Sequence, residues 1–303
     1  MGQGKSTDFR GEPKFTLTNH SDAVLGCAFS PDDKLLISGS EDGVIIIWSV
    51  KTGKQIKGLN AHQAAVTAVS FSPSGSQFVS SSLDCKVILW HLDSYKPLLN
   101  LTGHSDGVTD CRVSPDNKTI ASSSNDKTVR LWDLDKKGKS KSLVAHKGPV
   151  LSVDFSPDNL LIASCSTDKC VWLWNRSSGK ATHKLSDPFG GIKFCRFSPD
   201  SSRLATASDN TMRVWNVMVG EVTNHMKDQH EGPIQCSSFS PDGQMIAAGS
   251  GDKTISIWNT YMTESKPLVI LSGHKNWIQS CSFSHNGKML ATASSDKTVI
   301  IWH

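Results

Sequence analysis

The chain has 303 residues, 20% of them charged, and its 32 lysines and arginines against 28 aspartates and glutamates leave a net charge of +4 at pH 7 with histidine neutral. So small a charge, spread along the chain, argues against nucleic acid as the main partner. The aliphatic residues distributed along it exclude a disordered tail protein. No apolar run approaches the roughly eighteen residues of a membrane span, and Met1–Asp8 lacks the apolar core of a secretory leader. The eight cysteines are therefore expected as reduced thiols, in the cytoplasm or, as the alternative, the nucleus.

A tail is predicted over 1–13, followed by a lone strand-like piece, Lys14-Phe15-Thr16-Leu17-Thr18. Next comes a unit that recurs to the end of the chain. It opens on a run of the form Val66 to Phe71 or Val150 to Phe155 and turns at Ser30-Pro31-Asp32-Asp33 or Ser240-Pro241-Asp242-Gly243. Proline fixes φ near −65° at the second position of such a turn, and Asn or Gly tolerates the positions after it. A second run follows (Leu35-Leu36-Ile37), then a polar turn and a third run (Val44 to Ile47), then a weaker fourth (Pro97 to Leu101, Pro267 to Leu271). Alternation of period two runs through the unit, and no stretch sustains a helical period.

The polar residues of the unit keep fixed offsets. Tryptophan recurs at Trp48, Trp90, Trp132, Trp174, Trp215, Trp258 and Trp302 in steps of 41 to 44 residues. Histidine stands 28 residues earlier at His20, His62, His104, His146, His230 and His274, and aspartate six residues earlier at Asp42, Asp84, Asp126, Asp168, Asp209, Asp252 and Asp296. A hydroxyl precedes the aspartate by four at Ser38, Ser80, Ser122, Ser164 and Thr292. Unit 5 carries Ser186-Asp187-Pro188-Phe189 in place of the histidine and has a shorter turn, while unit 6 has Ala248 in the hydroxyl position. These two units are expected to be the softer part of the structure.

This spaced His, Ser/Thr, Asp and Trp set resembles the WD40 repeat family over 14–303, although aspartate follows the tryptophan only at Trp132-Asp133. The resemblance implies an all-β, seven-bladed propeller. Blade 7 then lacks its fourth strand, and the piece at residues 14–18 is expected to supply it and close the ring, leaving no exposed edge.

A histidine, a serine and an aspartate in one unit suggest a hydrolase, but a catalytic triad occurs once, and no Gly-x-Ser-x-Gly elbow exists. The sets read instead as structural tetrads whose buried groups satisfy one another. With the histidines so committed and no Cys-x-x-Cys present, neither a metal nor another cofactor is expected. Cys27, Cys111, Cys195 and Cys281 share one core slot, which leaves Cys85 and Cys170, in turns, as the more reactive thiols.

Function is then expected on loops and faces. In the family's register a ring at the top of the channel comprises Leu25, Thr67, Thr109, Leu151, Lys193, Gln235 and Gln279, with Glu41 on the same side. Trp277 and Phe189, in loops on that face, are the aromatic candidates for a partner's anchor. Lys136, Lys137, Lys139 and Lys141 read as a solvated turn. The expected function is a non-catalytic scaffold, monomeric by itself and part of a larger complex, that binds a peptide or loop of another protein. The alternative is the substrate receptor of a cullin-type ubiquitin ligase. Such receptors often carry Trp-Asp-x-Arg, where this chain has Trp132-Asp133-Leu134-Asp135. Met1-Gly2-Gln3-Gly4-Lys5-Ser6 fits the pattern for myristoylation of Gly2, which would give weak membrane association.

Overall fold

Apolar runs cut at Ser-Pro-Asp and Asp-anchored turns can only pair with their neighbours, and a computed structural model shows that they do. It describes residues 9–60, 62–187, 190–227, 229–261 and 266–303, with twenty-eight strands, β1–β28, and no helix among them. They form seven four-stranded antiparallel sheets around a central channel. The inner strands are β2 (Val24–Phe29), β6 (Val66–Phe71), β10 (Val108–Val113), β14 (Val150–Phe155), β18 (Ile192–Phe197), β22 (Ile234–Phe239) and β26 (Ile278–Phe283). Each begins on what we call the top face and opens blades 1 to 7 in turn. In each the ladder slips by one residue after its first position, as between Val24 and Gly26 or Ile278 and Ser280. This bulge leaves the intervening residue, Leu25 in blade 1, on the channel wall.

The core lies between blades rather than within them. Leu36 and Trp48 of blade 1 pack with Ala291, Val299 and Ile301 of blade 7, and Ile37 and Ile47 of blade 1 pack with Phe78 and Trp90 of blade 2. The bottom turns are tied by their own side chains: Ser30 Oγ donates to Asp32 Oδ1 at 2.7 Å and accepts the Leu35 N–H at 2.9 Å. Asp33, at φ 57° in that turn, reaches across to blade 7 and accepts the N–H groups of His285 and Asn286 at 2.7 and 2.8 Å.

The ring closes by β1 (Pro13–Leu17) pairing antiparallel with β28 (Val299–Trp302), Leu17 opposite Val299 and Phe15 opposite Ile301. The strand thus starts one residue before the expected 14–18 piece. Of the stretch read as a tail, residues 1–8 lie outside the described residues. Phe9 packs edge-on against Phe283 with ring centroids 6.2 Å apart, and Glu12 and His303 exchange backbone hydrogen bonds. From Phe9 onward the chain is therefore part of the packed ring.

In five blades one chain of hydrogen bonds joins the tetrad. The indole N–H of Trp48, Trp90, Trp132, Trp174 or Trp302 donates to the buried hydroxyl of Ser38, Ser80, Ser122, Ser164 or Thr292 at 2.8–2.9 Å. That hydroxyl lies 2.7–2.9 Å from the imidazole Nε2. The imidazole Nδ1 is in turn 2.7–3.2 Å from the aspartate Oδ2. Burial lowers the pKa of His20, His62, His104 and His146 despite the neighbouring carboxylates. A neutral imidazole has one N–H, and only Nδ1–H serves the aspartate, so Nε2 accepts from the hydroxyl. Every proton in the chain then has one acceptor.

Two blades reach the same end by other residues. In blade 6, Ser256 stands opposite Ala248 in the ladder. Its hydroxyl accepts from Trp258 and meets His230 Nε2, both at 2.7 Å. The hydroxyl has moved one strand over, and blade 6 is not deficient. In blade 5 the expected role of Asp209 is corrected. The turn from β19 (Arg203–Ser208) to β20 (Thr211–Asn216) is only two residues long, and Asp209 sits in it exposed, at φ 49°. The carboxylate comes from Asp187, which accepts from Ser208 Oγ and Arg213 Nη1, each at 2.7 Å. The indole of Trp215 donates to Thr206 at 2.8 Å.

Removing the displaced hydroxyl orphans two buried groups at about 1–3 kcal/mol each. Ser256→Ala should lower stability by about 2–6 kcal/mol in urea denaturation, and adding Ala248→Ser should restore at least half of it. A neutral Ser256→Ala, or no rescue, would contradict the assignment.

The same network sets the acid response. A histidine with a lowered folded-state pKa makes the unfolded state the better proton binder. Stability is thus full above the ordinary histidine value of 6.5 and falls as pH drops below it. The partner carboxyls of Asp42, Asp84, Asp126 and Asp168 are opposed by burial but held below 3.8 by their hydrogen-bond donors, so a second loss begins below that pH. Melting temperature measured from pH 8 to pH 3 should decline in these two stages; a flat profile between pH 7 and pH 5 would count against neutral imidazoles.

Candidate functional site: the top face and the central channel

The tetrads hold Asp, His and Ser in the order of a hydrolase relay, but their chemistry is closed. Ser38, Ser80, Ser122, Ser164 and Thr292 have no exposed surface and already accept an indole N–H, so no substrate carbonyl can approach them. Groups able to meet a ligand lie on the top face and in the channel.

The channel has a volume of about 380 Å³, and its top ring is Leu25, Thr67, Thr109, Leu151, Lys193, Gln235 and Gln279. Thr67 and Thr109 are tied down, each hydroxyl donating to the carbonyl at the start of the next inner strand, Val108 or Val150. Gln279 donates to Ser295 at 2.8 Å. Lys193 is exposed. Glu41 and Trp277 stand farther out, on the turns and loops of blades 1 and 7. Phe189 and Gly2 lie outside the described residues.

Trp277 is 45% exposed. Its backbone is fixed on both sides, its N–H donating to Asn276 Oδ1 at 2.8 Å and its carbonyl accepting the Ser295 N–H at 2.9 Å. The indole lies across the blade 6 backbone, where a Cβ on Gly251 would come within 3.2 Å of its ring. Glycine there leaves room for the ring to lie flat on the seam between blades 6 and 7, with its other face to solvent. Leu83, 47% exposed, is a second apolar residue of this face. The other outlying tryptophan, Trp172, is packed against Trp174 at 6.0 Å with Lys184 over its ring.

Sequence reasoning missed the charges lower in the channel, on the positions three residues beyond the top ring: Arg112, Asp154 and Arg196, joined by Asp110. Asp110 Oδ2 accepts from Ser152 Oγ at 2.8 Å and from Arg196 Nη2 at 3.1 Å. Arg196 Nη1 donates to Ser152 and to the Cys195 carbonyl. Burial works against the charge of Asp110, yet Arg196 and Arg112 hold its carboxyl below the ordinary range. Burial dominates at Asp154 and pushes it up. The signal available in the sequence was charge in slots where blades 1, 6 and 7 carry Ala28, Ser238 and Ser282.

Six of the thiols are buried, burial pushing Cys27 and Cys111 up to about 12, and only Cys85 and Cys170 are partly exposed. Cys85 is half-buried. Its partial desolvation, then the carboxylates of Asp106, Asp84 and Asp126, push its thiol up, which suppresses the reactive thiolate. In the lysine turn, Lys136 pairs with Asp133 at 2.7 Å and Lys141 donates to the Ser178 carbonyl.

Comparison with known proteins agrees with the geometry. The family description "WD domain, G-beta repeat" matches residues 11–49, 53–91, 95–133, 138–175, 179–216, 221–259 and 265–303. Individual relatives align over short segments only. The Periodic tryptophan protein 2 of Saccharomyces cerevisiae is 40% identical over 50 residues, 16% of this chain and 5% of that protein. The Small ribosomal subunit protein RACK1 of Medicago sativa is 46% identical over 46 residues, 15% and 14% of the two chains. The Serine-threonine kinase receptor-associated protein of Bos taurus is 55% identical over 31 residues, 10% and 9%. Seven matched repeats, seven blades and their hydrogen-bonded tetrads place this chain in the WD40 family.

Proposed function

We propose that this propeller is a non-catalytic scaffold within a multiprotein complex, and that it holds a peptide or loop of a partner on its top face around Trp277. WD40 propellers act as protein-interaction scaffolds, and the names of two relatives, a small ribosomal subunit protein and a receptor-associated protein, are in keeping with such a role. The observation that carries the reading is the half-exposed indole of Trp277, packed over Gly251 on a backbone hydrogen-bonded at both its N–H and its carbonyl. An aromatic side chain packed before binding contributes contact area with little loss of rotamer freedom, the profile of an interface anchor. The ring beside it, with its single charge at Lys193 among threonines, glutamines and leucines, suits a polypeptide with mixed side chains better than a polyanion.

Nothing favours the ubiquitin-ligase alternative, since Asp135 occupies the arginine place and Asp133 is paired with Lys136. A single myristoyl chain on Gly2 would add only marginal membrane affinity.

Affinity capture from native lysate with wild-type, Trp277→Ala and Leu160→Ala proteins tests the proposal, Leu160 being an exposed residue of the opposite face. Trp277→Ala should weaken capture of the partner by at least about tenfold while Leu160→Ala retains it. The same partners recovered at the same level by Trp277→Ala would refute the top-face assignment.

A further inference from the structure

The waist of the central channel is asymmetric. Blades 3 to 5 place Arg112, Asp154 and Arg196 there, and blades 6, 7 and 1 place Ser238, Ser282 and Ala28 at the equivalent positions. The two arginines differ in their commitments. Arg196 is committed, bonded to Asp110, Ser152 and the Cys195 carbonyl. Arg112 makes no hydrogen bond among the described residues. Its Nε has no hydrogen-bond partner and meets the Asp110 carboxylate, which Arg196 already hydrogen-bonds, only as a long ion pair at 3.8 Å. The serine hydroxyls on the other side donate only weakly, to the following carbonyl at 3.5 Å for Ser238 and 3.4 Å for Ser282, Ser238 Oγ also accepting the Phe283 N–H at 3.1 Å. A partly buried guanidinium with donors to spare, facing hydroxyls across a cavity of about 380 Å³, leaves hydrogen-bonding capacity that a ligand can use.

We propose that this waist binds a small oxyanion, a phosphate or a carboxylate, which Arg112 holds with a charge-assisted hydrogen bond and Ser238 and Ser282 steady from across the channel. Lys193, exposed in the top ring, draws the anion toward the mouth. The wall carries Arg112, Arg196 and Lys193 against Asp110 and Asp154, which leaves one net positive charge. Asp154 is the competing charge on the same wall: its carboxylate accepts the Phe197 N–H at 2.8 Å, and burial already disfavours its charged form. The two sources of the chemistry, a free phosphate ion and the carboxylate of a metabolite or of an acidic side chain, share this hydrogen-bonding pattern. The proposal stands apart from the docking at Trp277.

Calorimetric titration in a phosphate-free zwitterionic buffer, with inorganic phosphate in one arm and glutarate in the other, tests it. Saturable binding by either probe is expected, and the stronger arm identifies the preferred oxyanion. Arg112→Gln should weaken binding by at least about tenfold, read in a variant shown by its melting transition to be folded, since the change also removes a charge paired with Asp110. Asp154→Asn should tighten it by removing the competing charge. Lys193→Gln, at an exposed position, keeps the test valid should Arg112→Gln fold poorly, and should weaken binding about threefold. Absence of saturation by both probes, unchanged affinity in a folded Arg112→Gln, or weaker binding by Asp154→Asn would each overturn the proposal.

Discussion

A buried hydroxyl group with two obligations governs this molecule. It must accept the hydrogen of an indole and pass its own to an imidazole, and the imidazole must then spend its remaining hydrogen on a carboxylate. The hydroxyl and the indole are buried and the aspartate only partly exposed, and a buried group left alone would destabilise the blade by about 1–3 kcal/mol. The chain therefore forms whole or not at all, and it ties the third strand of a blade to the loop that leads into the first. The aspartate finishes the work by fixing its own turn, Asp42 Oδ1 accepting the N–H of Val44 at 2.9 Å.

Blades 5 and 6 show that the constraint is chemical rather than positional. Blade 6 keeps the hydroxyl but takes it from the neighbouring strand, two residues from the tryptophan rather than ten. Blade 5 abandons the imidazole and places a buried carboxylate against a buried guanidinium, with Ser208 bonded to both. A buried ion pair is strongly destabilised when one partner is removed but adds little against an apolar replacement. Blade 5 is thus held by an interaction more sensitive to mutation than the others. Because the strands are consumed in this packing, chemistry toward other molecules is left to the top face and the channel, the first apolar and packed at Trp277, the second charged and partly unsatisfied at Arg112.

The fold was legible because its determinants are local. Histidine, hydroxyl, aspartate and tryptophan of one unit lie within 28 residues, so their spacing survives in the sequence, and the seven tryptophans count the blades. The displaced parts were not legible for a definite reason. Ser256 and Ala248 are distant in sequence but opposite in the ladder, so the exchange is visible only once the register is known. Asp209 kept the expected offset from Trp215 yet turned outward, because a turn shortened by one residue rotates whatever it carries. The channel charges belong to β10, β14 and β18, and the Arg196–Asp110 pair joins residues 86 apart, beyond the reach of any single repeat. The top ring could be named from the register alone, whereas the guanidinium of Arg112 below it, without a hydrogen bond at Nε, is visible only once its neighbours' bonds are known.

The central claim is that neutral imidazoles receive the hydroxyl proton at Nε2 and give their own at Nδ1. Long-range proton–nitrogen correlation of the histidine side chains at pH 7.5 reads this directly. The account predicts that His20, His62, His104 and His146 all carry hydrogen on Nδ1 and show an unprotonated Nε2. Hydrogen on Nε2 in these rings, or imidazolium at that pH, would contradict it.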